Sequence, residues 1–135
     1  MARLVIDTNC LLQFISRRSI YHDLWVSLLD GRNTLCVSTE ILEEYTELFQ
    51  KFTSAEFTEA ALGVITNNIH TEFITPYYHF NLIPNDPDDN KFVDCAIAGN
   101  AKYIVTNDHH YDVLRNTSFP HVDVISLDDF MAQIK

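Results

Sequence analysis

The segment Arg3-Leu4-Val5-Ile6-Asp7-Thr8-Asn9 decides the fold, because an unbroken apolar run ends abruptly on a carboxylate. Near the other end of the chain, Tyr103-Ile104-Val105 is a second apolar run, followed by Thr106-Asn107-Asp108. Apolar runs without polar alternation read as strands buried on both faces. Residues 34–37, ended by Ser38, and residues 122–125, broken only by Asp123, are two more, and Phe73-Ile74 adds a short one. Helical periodicity fills the spaces between them, at about 9–16, 21–29, 39–52, 55–68 and 87–98. A last helix starts at Ser126, with Asp129 three residues on as a variant of the capping box. Strands alternating with helices require crossover connections, and hence a mostly parallel sheet covered on both faces. The expectation is one domain spanning residues 1–135, an α/β/α three-layer sandwich with four or five strands.

Composition narrows the function classes. At 135 residues, 47% apolar and 21% charged, the chain has the make-up of an ordinary globular domain. Cys10, Cys36 and Cys95 are odd in number and sit in apolar runs without a C-x-x-C, which excludes a disulfide framework and dithiol chemistry. Gly31, Gly63 and Gly99 are too few and too scattered for a glycine-rich phosphate cradle. The chain opens directly into a strand, and its apolar runs are too short to span a bilayer, so a cytoplasmic location without membrane attachment is expected. Nine basic residues face nineteen acidic ones, a net charge of −10. A protein that grips nucleic acid through a broad basic surface has the opposite balance. Either the partner is not a polyanion, or bound cations neutralise some of the carboxylates.

In a parallel α/β sheet, ligands bind at the carboxyl ends of the strands. The pattern delivers Asp7 and Asp108 to that edge, with Thr8, Asn9, Ser38, Thr106 and Asn107 around them. His109 and His110 are close by, but the histidines show neither Ser-His-Asp order nor metal-type spacing. In the helix over 39–52, Ile41, Leu42, Tyr45, Leu48, Phe49 and Phe52 form the apolar stripe. Glu40, Glu43 and Glu47 point away from it, whereas Glu44 borders it and can reach inward; the plainer reading is one more solvated glutamate. In Asn85-Asp86-Pro87-Asp88-Asp89, Asp86 suits an N-cap and Pro87 a first helical position, so the acidic start also has a purely structural explanation. Asp88 and Asp89 both flank the face formed by Phe92, Cys95, Ala96 and Gly99, and Asp94 falls on the opposite, solvent side.

Together these residues say more than each alone. Asp7, Glu44, Asp88 or Asp89, and Asp108 come from four segments that the topology gathers at one edge. Two unit charges about 4 Å apart repel by roughly 4 kcal/mol at an effective dielectric near 20. Hard divalent cations relieve such repulsion, and Mg²⁺ or Mn²⁺ suits an oxygen-rich shell better than zinc. Such a site fits metal-assisted chemistry on a substrate that carries its own phosphates, one ion activating water and another the departing oxygen.

The same residues resemble the PIN domain family. Val5-Ile6-Asp7-Thr8-Asn9 resembles its opening strand and first acidic motif. Ser38 to Tyr45 resembles its serine-to-glutamate helix, with Glu44 in the acidic position. Asp86-Pro87-Asp88-Asp89-Asn90-Lys91-Phe92 followed by Ala96 resembles the third motif, with Asp89 the better match and Asp88 the reserve. Ile104-Val105-Thr106-Asn107-Asp108 resembles the strand carrying the final threonine and aspartate. The likeness runs from about Leu4 to Phe130 and is nearest to the toxins of toxin–antitoxin pairs, the VapC type. It implies an Mg²⁺- or Mn²⁺-dependent endoribonuclease with Asp7, Glu44, Asp89 and Asp108 as metal ligands and catalytic residues. Asn9, Ser38, Asp88, Thr106 and Asn107 would support them. RNA is then the substrate, an antitoxin protein a partner, and the homodimer the assembly.

Arg17, Arg18 and Lys91 are the only basic residues expected near the cleft, so substrate binding would be weak or rely on metal. Rival readings fit less well. A receiver domain wants an acidic pair after the first strand, and a haloacid-dehalogenase-type phosphatase wants Asp-x-Asp, where this chain has Asp7-Thr8-Asn9. A catalytically silent PIN-type scaffold that binds RNA or a partner is the non-enzymatic alternative, although all four carboxylates are present. Trp25, Phe49, Phe52 and Phe57 are candidates for an exposed interface, with core packing the competing role.

Overall fold

The computed structural model describes residues 2–15, 18–83, 87–118 and 120–134. Strand β1 (Ala2–Ile6) leads into helices α1 (Thr8–Ile15) and α2 (His22–Leu29), then β2 (Asn33–Val37), α3 (Thr39–Phe52) and α4 (Ala55–Asn67). A short β3 (Glu72–Phe73) follows, then a 3₁₀ turn (Pro87–Asp89), α5 (Asn90–Ala98) and β4 (Tyr103–Val105). A 3₁₀ helix (His109–Asn116), β5 (Asp123–Ile125) and α6 (Leu127–Ile134) complete the chain. The five strands form one sheet in the order β3-β2-β1-β4-β5, every neighbouring pair parallel. The chain runs β1→β2→β3 toward one edge and then crosses back to β4 and β5. Right-handed crossovers in opposite directions place helices on both faces, giving the three-layer sandwich.

That reversal at β1 sets the site. β1 is the central strand, and β2 and β4 leave it in opposite directions, which opens a crevice at their carboxyl ends. The ladder continues one residue past the strands: the Asp7 amide donates to the Val105 carbonyl at 3.0 Å, and the Thr106 amide to that of Ile125 at 3.0 Å. Asp7 and Thr106 are therefore held on rigid backbone.

Helix α3 is held at its start and at its middle. Its N-cap Ser38 accepts a hydrogen bond from the Ile41 amide at 3.3 Å, and Ile41, Tyr45 and Phe49 line the buried side at four-residue spacing. The Tyr45 hydroxyl donates to the carbonyl of Ile6 at 2.6 Å, tying the middle of α3 to the end of β1. Its ring packs on Phe49 and on Phe92 of α5, with centroids 6.3 and 6.4 Å apart. Glu44, one residue before Tyr45, is thereby brought to the carboxyl end of β1, while Glu40, Glu43 and Glu47 stay exposed.

The structure corrects the sequence reading of α5 and its surroundings. Asp94 is not a surface charge: it is 4% exposed and accepts a hydrogen bond from the Phe80 amide at 3.1 Å, with His79 Nδ1 at 3.2 Å. The periodicity argument gave α5 one buried face, but residues 74–83 fold over its other face. Ile83 and Asn90 bond each other through both backbone groups of Ile83, at 2.9 and 3.2 Å. A Cβ on Gly99 would meet the Ile74 side chain at 3.0 Å, so the connection lies close against the end of α5. Among the interface candidates, Trp25 and Phe49 belong to the core, whereas Phe52 and Phe57 are exposed. The expected helix over 87–98 divides into the 3₁₀ turn and α5, and the 3₁₀ helix after β4 was not foreseen. Asp86, the expected N-cap, and Arg17 lie outside the described residues. Ser126 does accept from the Asp129 amide, at 3.1 Å.

Candidate metal centre

Asp7 is nearly buried, and the Thr106 hydroxyl donates to its Oδ2 at 2.8 Å. The same hydroxyl accepts from the Asp108 amide at 3.1 Å, so Thr106 fixes one aspartate and turns the chain toward the other. Burial raises the Asp7 pKa above its ordinary 3.8; the Thr106 bond opposes the rise, and the charges of Glu44 and Asp108 add to it. Glu44 is held at both oxygens, by the Thr8 hydroxyl at 2.6 Å and by Lys91 Nζ at 2.9 Å. Burial works against the Lys91 charge, but the bond to Glu44 and the surrounding carboxylates outweigh it and raise the Lys91 pKa.

Asp89, Asp108 and His110 offer one ligand atom each within 4.8 Å of one another. His110 Nδ1 lies 3.3 Å from Asp108 Oδ1 and 3.9 Å from Asp89 Oδ2. Donors 2.1 Å from an octahedral ion stand roughly 3 Å apart when adjacent and about 4.2 Å when opposite, so these separations fit one divalent cation. Two carboxylates and an imidazole are a chemically sound donor set for Mn²⁺, and with water completing the shell for Mg²⁺.

Asp88 is exposed, one residue from Asp89 and outside that cluster. Asn9 is exposed at the rim of a cleft of about 270 Å³ lined by Asp7, Cys10, Gln13, Asn107 and Asp108. Ser38 is committed to capping α3, and the Asn107 side-chain carbonyl accepts from the Leu127 amide at 3.0 Å, anchoring α6. Cys10 adds no nucleophile, because burial, reinforced by Asp7, pushes its thiol up to about 12.

Two groups near the carboxylates escaped the sequence reading. The sequence places His110 only near the edge, and the signal for it is its spacing, two residues after Asp108. The side chain of Asp108 caps the 3₁₀ helix by accepting from the His110 amide at 2.8 Å, and this folds the imidazole back over the carboxylates. Tyr111, the next residue, is fully buried, and burial followed by the charges of Asp7 and Asp89 drives its pKa far up. Its phenol therefore stays protonated beneath the acidic groups. No short-range pattern marks it.

The PIN domain family model matches residues 3–110. Comparison with curated proteins finds no match. Among solved structures, the chain is similar to DNA-bound VapBC from Salmonella typhimurium, with a TM-score of 0.64 and 17% identity over 94% of this chain and 99% of that one. VapBC2 from Rickettsia felis, bound to a DNA fragment from its promoter, gives 0.63 and 18% over 92% and 98%. The PIN domain endonuclease Utp24 gives 0.54 and 16% over 92% and 84%. At these identities the likeness is one of fold.

Proposed function

This chain belongs to the PIN domain family, and on that premise we propose that it is a divalent-metal-dependent endoribonuclease, the toxin of a toxin–antitoxin pair. The observation that carries the reading is the convergence of Asp89, Asp108 and His110 beside the buried Asp7 at a topological switch point. Like charges brought together on rigid backbone cost stability unless a cation or substrate repays the cost. Asp89, Asp108 and His110, together with Asp7 and Glu44, would hold Mg²⁺ or Mn²⁺, and the ion would supply activation of water and neutralisation of charge on a scissile phosphate.

The chain's own residues have distinct tasks in this reading. Thr106 orients Asp7, and its hydrogen bond favours the ionised form against the opposing effect of burial. Thr8 and Lys91 fix Glu44 by a hydrogen bond to each of its oxygens, so its carboxylate is held in one orientation. Asn9, on the rim, is available to a sugar or phosphate. Asp88 remains outside the ligand set, in agreement with its exposure. Antitoxin binding, a homodimer and a cytoplasmic location belong to the same proposal, supported by the fold shared with VapBC chains. No helix among the described residues is long and apolar enough to cross a membrane.

Incubation of a 5′-labelled single-stranded RNA with the purified protein tests this. Cleavage should require Mg²⁺ or Mn²⁺, stop in excess EDTA, and leave a 5′-phosphate and a 3′-hydroxyl. A 2′,3′-cyclic phosphate, or activity that survives EDTA, would overturn the mechanism. Binding without cleavage under every metal would favour the silent scaffold.

A further inference from the structure

The histidines of this chain differ in what they face. His79, His109 and His121 each stand beside one carboxylate: Asp94 at 3.2 Å, Asp112 at 3.2 Å and Asp123 at 2.7 Å. His110 stands beside two that come from different elements. Its Nδ1 is 3.3 Å from Asp108, after β4, and 3.9 Å from Asp89, at the start of α5. One carboxylate and one imidazole make an ordinary hydrogen bond or ion pair. A ring nitrogen facing two carboxylates at separations that a single octahedral shell spans has the geometry of a ligand set.

The backbone fixes that arrangement. The Asp108 side chain accepts the His110 amide at 2.8 Å, and the Asp108 carbonyl accepts the Tyr111 amide at 3.3 Å, so the first turn of the 3₁₀ helix closes on Asp108. Tyr111 is fully buried, which pins the residue after His110 to the core. The His110 side chain itself is half exposed, so solvent reaches its ring without any part of the fold opening. The other two carboxylates of the edge are engaged differently. Asp7 takes the Thr106 hydroxyl, and both Glu44 oxygens are bonded, one to Thr8 and one to Lys91. The donor gathered with Asp89 and Asp108 is thus an imidazole nitrogen rather than a third carboxylate.

A nitrogen donor changes which ion a site prefers. Mg²⁺ holds its water tightly and takes oxygen ligands, so an imidazole adds little to its binding. First-row transition ions gain more from nitrogen, in the rising order Mn²⁺, Fe²⁺, Co²⁺, Ni²⁺. An imidazole ligand also brings no negative charge, which is the main attraction that carboxylates offer Mg²⁺. Resting on the nuclease reading above, we propose that His110 is a metal ligand through Nδ1 and that its nitrogen makes the site select Mn²⁺ over Mg²⁺.

The test reads binding, without RNA. Calorimetry gives Mn²⁺ and Mg²⁺ affinities for wild type, His110→Ala, His110→Asn and His109→Ala, and pulsed electron spin-echo spectroscopy detects nitrogen coordinated directly to bound Mn²⁺. Wild type should show such a coupling, and isotopic labelling of the histidine ring nitrogens should change it. Loss of an outer-sphere partner alone costs about 10–100-fold in metal affinity, so His110→Ala should weaken Mn²⁺ at least about tenfold and Mg²⁺ much less. His110→Asn, which puts an amide group near the Nδ1 position, should lose the coupling and the preference for Mn²⁺ while keeping its Mg²⁺ affinity. His109→Ala should match wild type, since that ring faces Asp112. Bound Mn²⁺ without a histidine coupling, or a ratio of Mn²⁺ to Mg²⁺ affinity unchanged in both His110 variants, overturns the proposal. So does a coupling that persists in His110→Ala. Mn²⁺ bound with the histidine coupling but no RNA cleavage under any metal would sink the nuclease reading alone.

Discussion

Two buried aspartates five positions apart on one segment make opposite use of burial. Asp94, inside α5, is 4% exposed and answered by the Phe80 amide and His79, so its charge is satisfied by protein. Asp89, at the start of α5, is 9% exposed and faces Asp108 and His110 across a gap of ion-binding size. Asp94 is held by donors of the connection that folds over it, whereas Asp89 stands close to a second carboxylate, an arrangement that a bound cation stabilises. The contrast makes the two residues each other's control.

The largest effect expected is on catalysis. Asp89→Asn should reduce RNA cleavage by roughly a hundredfold or more, the usual order for removing a group that stabilises the transition state. Asp94→Asn should leave cleavage within about threefold of wild type, because the amide oxygen still accepts from Phe80. Comparable losses in both variants would break the contrast.

Stability should respond in the reverse order. Asp94→Ala leaves a buried amide without its acceptor and should cost about 1–3 kcal/mol. In a domain of this length that lowers Tm by roughly 3–6 °C for each kcal/mol. Metal-free Asp89→Ala should melt no lower than Asp94→Ala, since it also relieves repulsion from Asp108. Thermal melts in EDTA separate the two.

A smaller effect comes from metal linkage. At Mg²⁺ tenfold above its Kd, wild type gains RT ln 11, about 1.4 kcal/mol. That raises Tm by about 4–8 °C. Asp94→Asn should keep this shift and Asp89→Asn should lose most of it, with an ionic-strength control at matched salt.

The smallest effect is in the pH dependence of the metal-free fold. Burial raises the pKa of Asp7 above 3.8, so its ionisation is harder in the folded than in the unfolded state. Any advantage from the protonated form is complete below the unfolded value and disappears as pH rises through the folded one. Asp7→Asn cannot ionise, so its Tm relative to wild type should climb between pH 3.8 and neutrality and level off above it. A flat difference across that range would mean that Asp7 carries no burial penalty.

How much was legible in the sequence follows the range of the interactions involved. Asp7 directly follows β1 and Asp108 lies three residues past β4, positions that the adjacent residues mark. Glu44 followed from helical phase, because Tyr45 and Phe49 fix which side of α3 faces inward. Phase could not choose between Asp88 and Asp89 within the first turn, since both flank the buried face; the 3₁₀ turn before α5 leaves Asp88 in solvent. Asp94 was misread because a single-face argument has no term for a connection that folds over the opposite face. Its burial depends on Phe80 and His79, fourteen and fifteen residues away. Of the four aromatic residues with two competing roles, Trp25 and Phe49 take the core role through tertiary packing, while Phe52 and Phe57 stay exposed. His110 and Tyr111 depended on a 3₁₀ helix whose start is set by the Asp108 cap.

The most direct measurement is an anomalous difference map from a crystal of the wild-type protein grown with Mn²⁺. The expected result is a peak at the carboxyl end of β1 and β4, within coordination distance of Asp89 and Asp108, and none at Asp94, which keeps its bonds to Phe80 and His79. A peak elsewhere, or none at saturating Mn²⁺, would contradict the assignment of this edge as a metal centre.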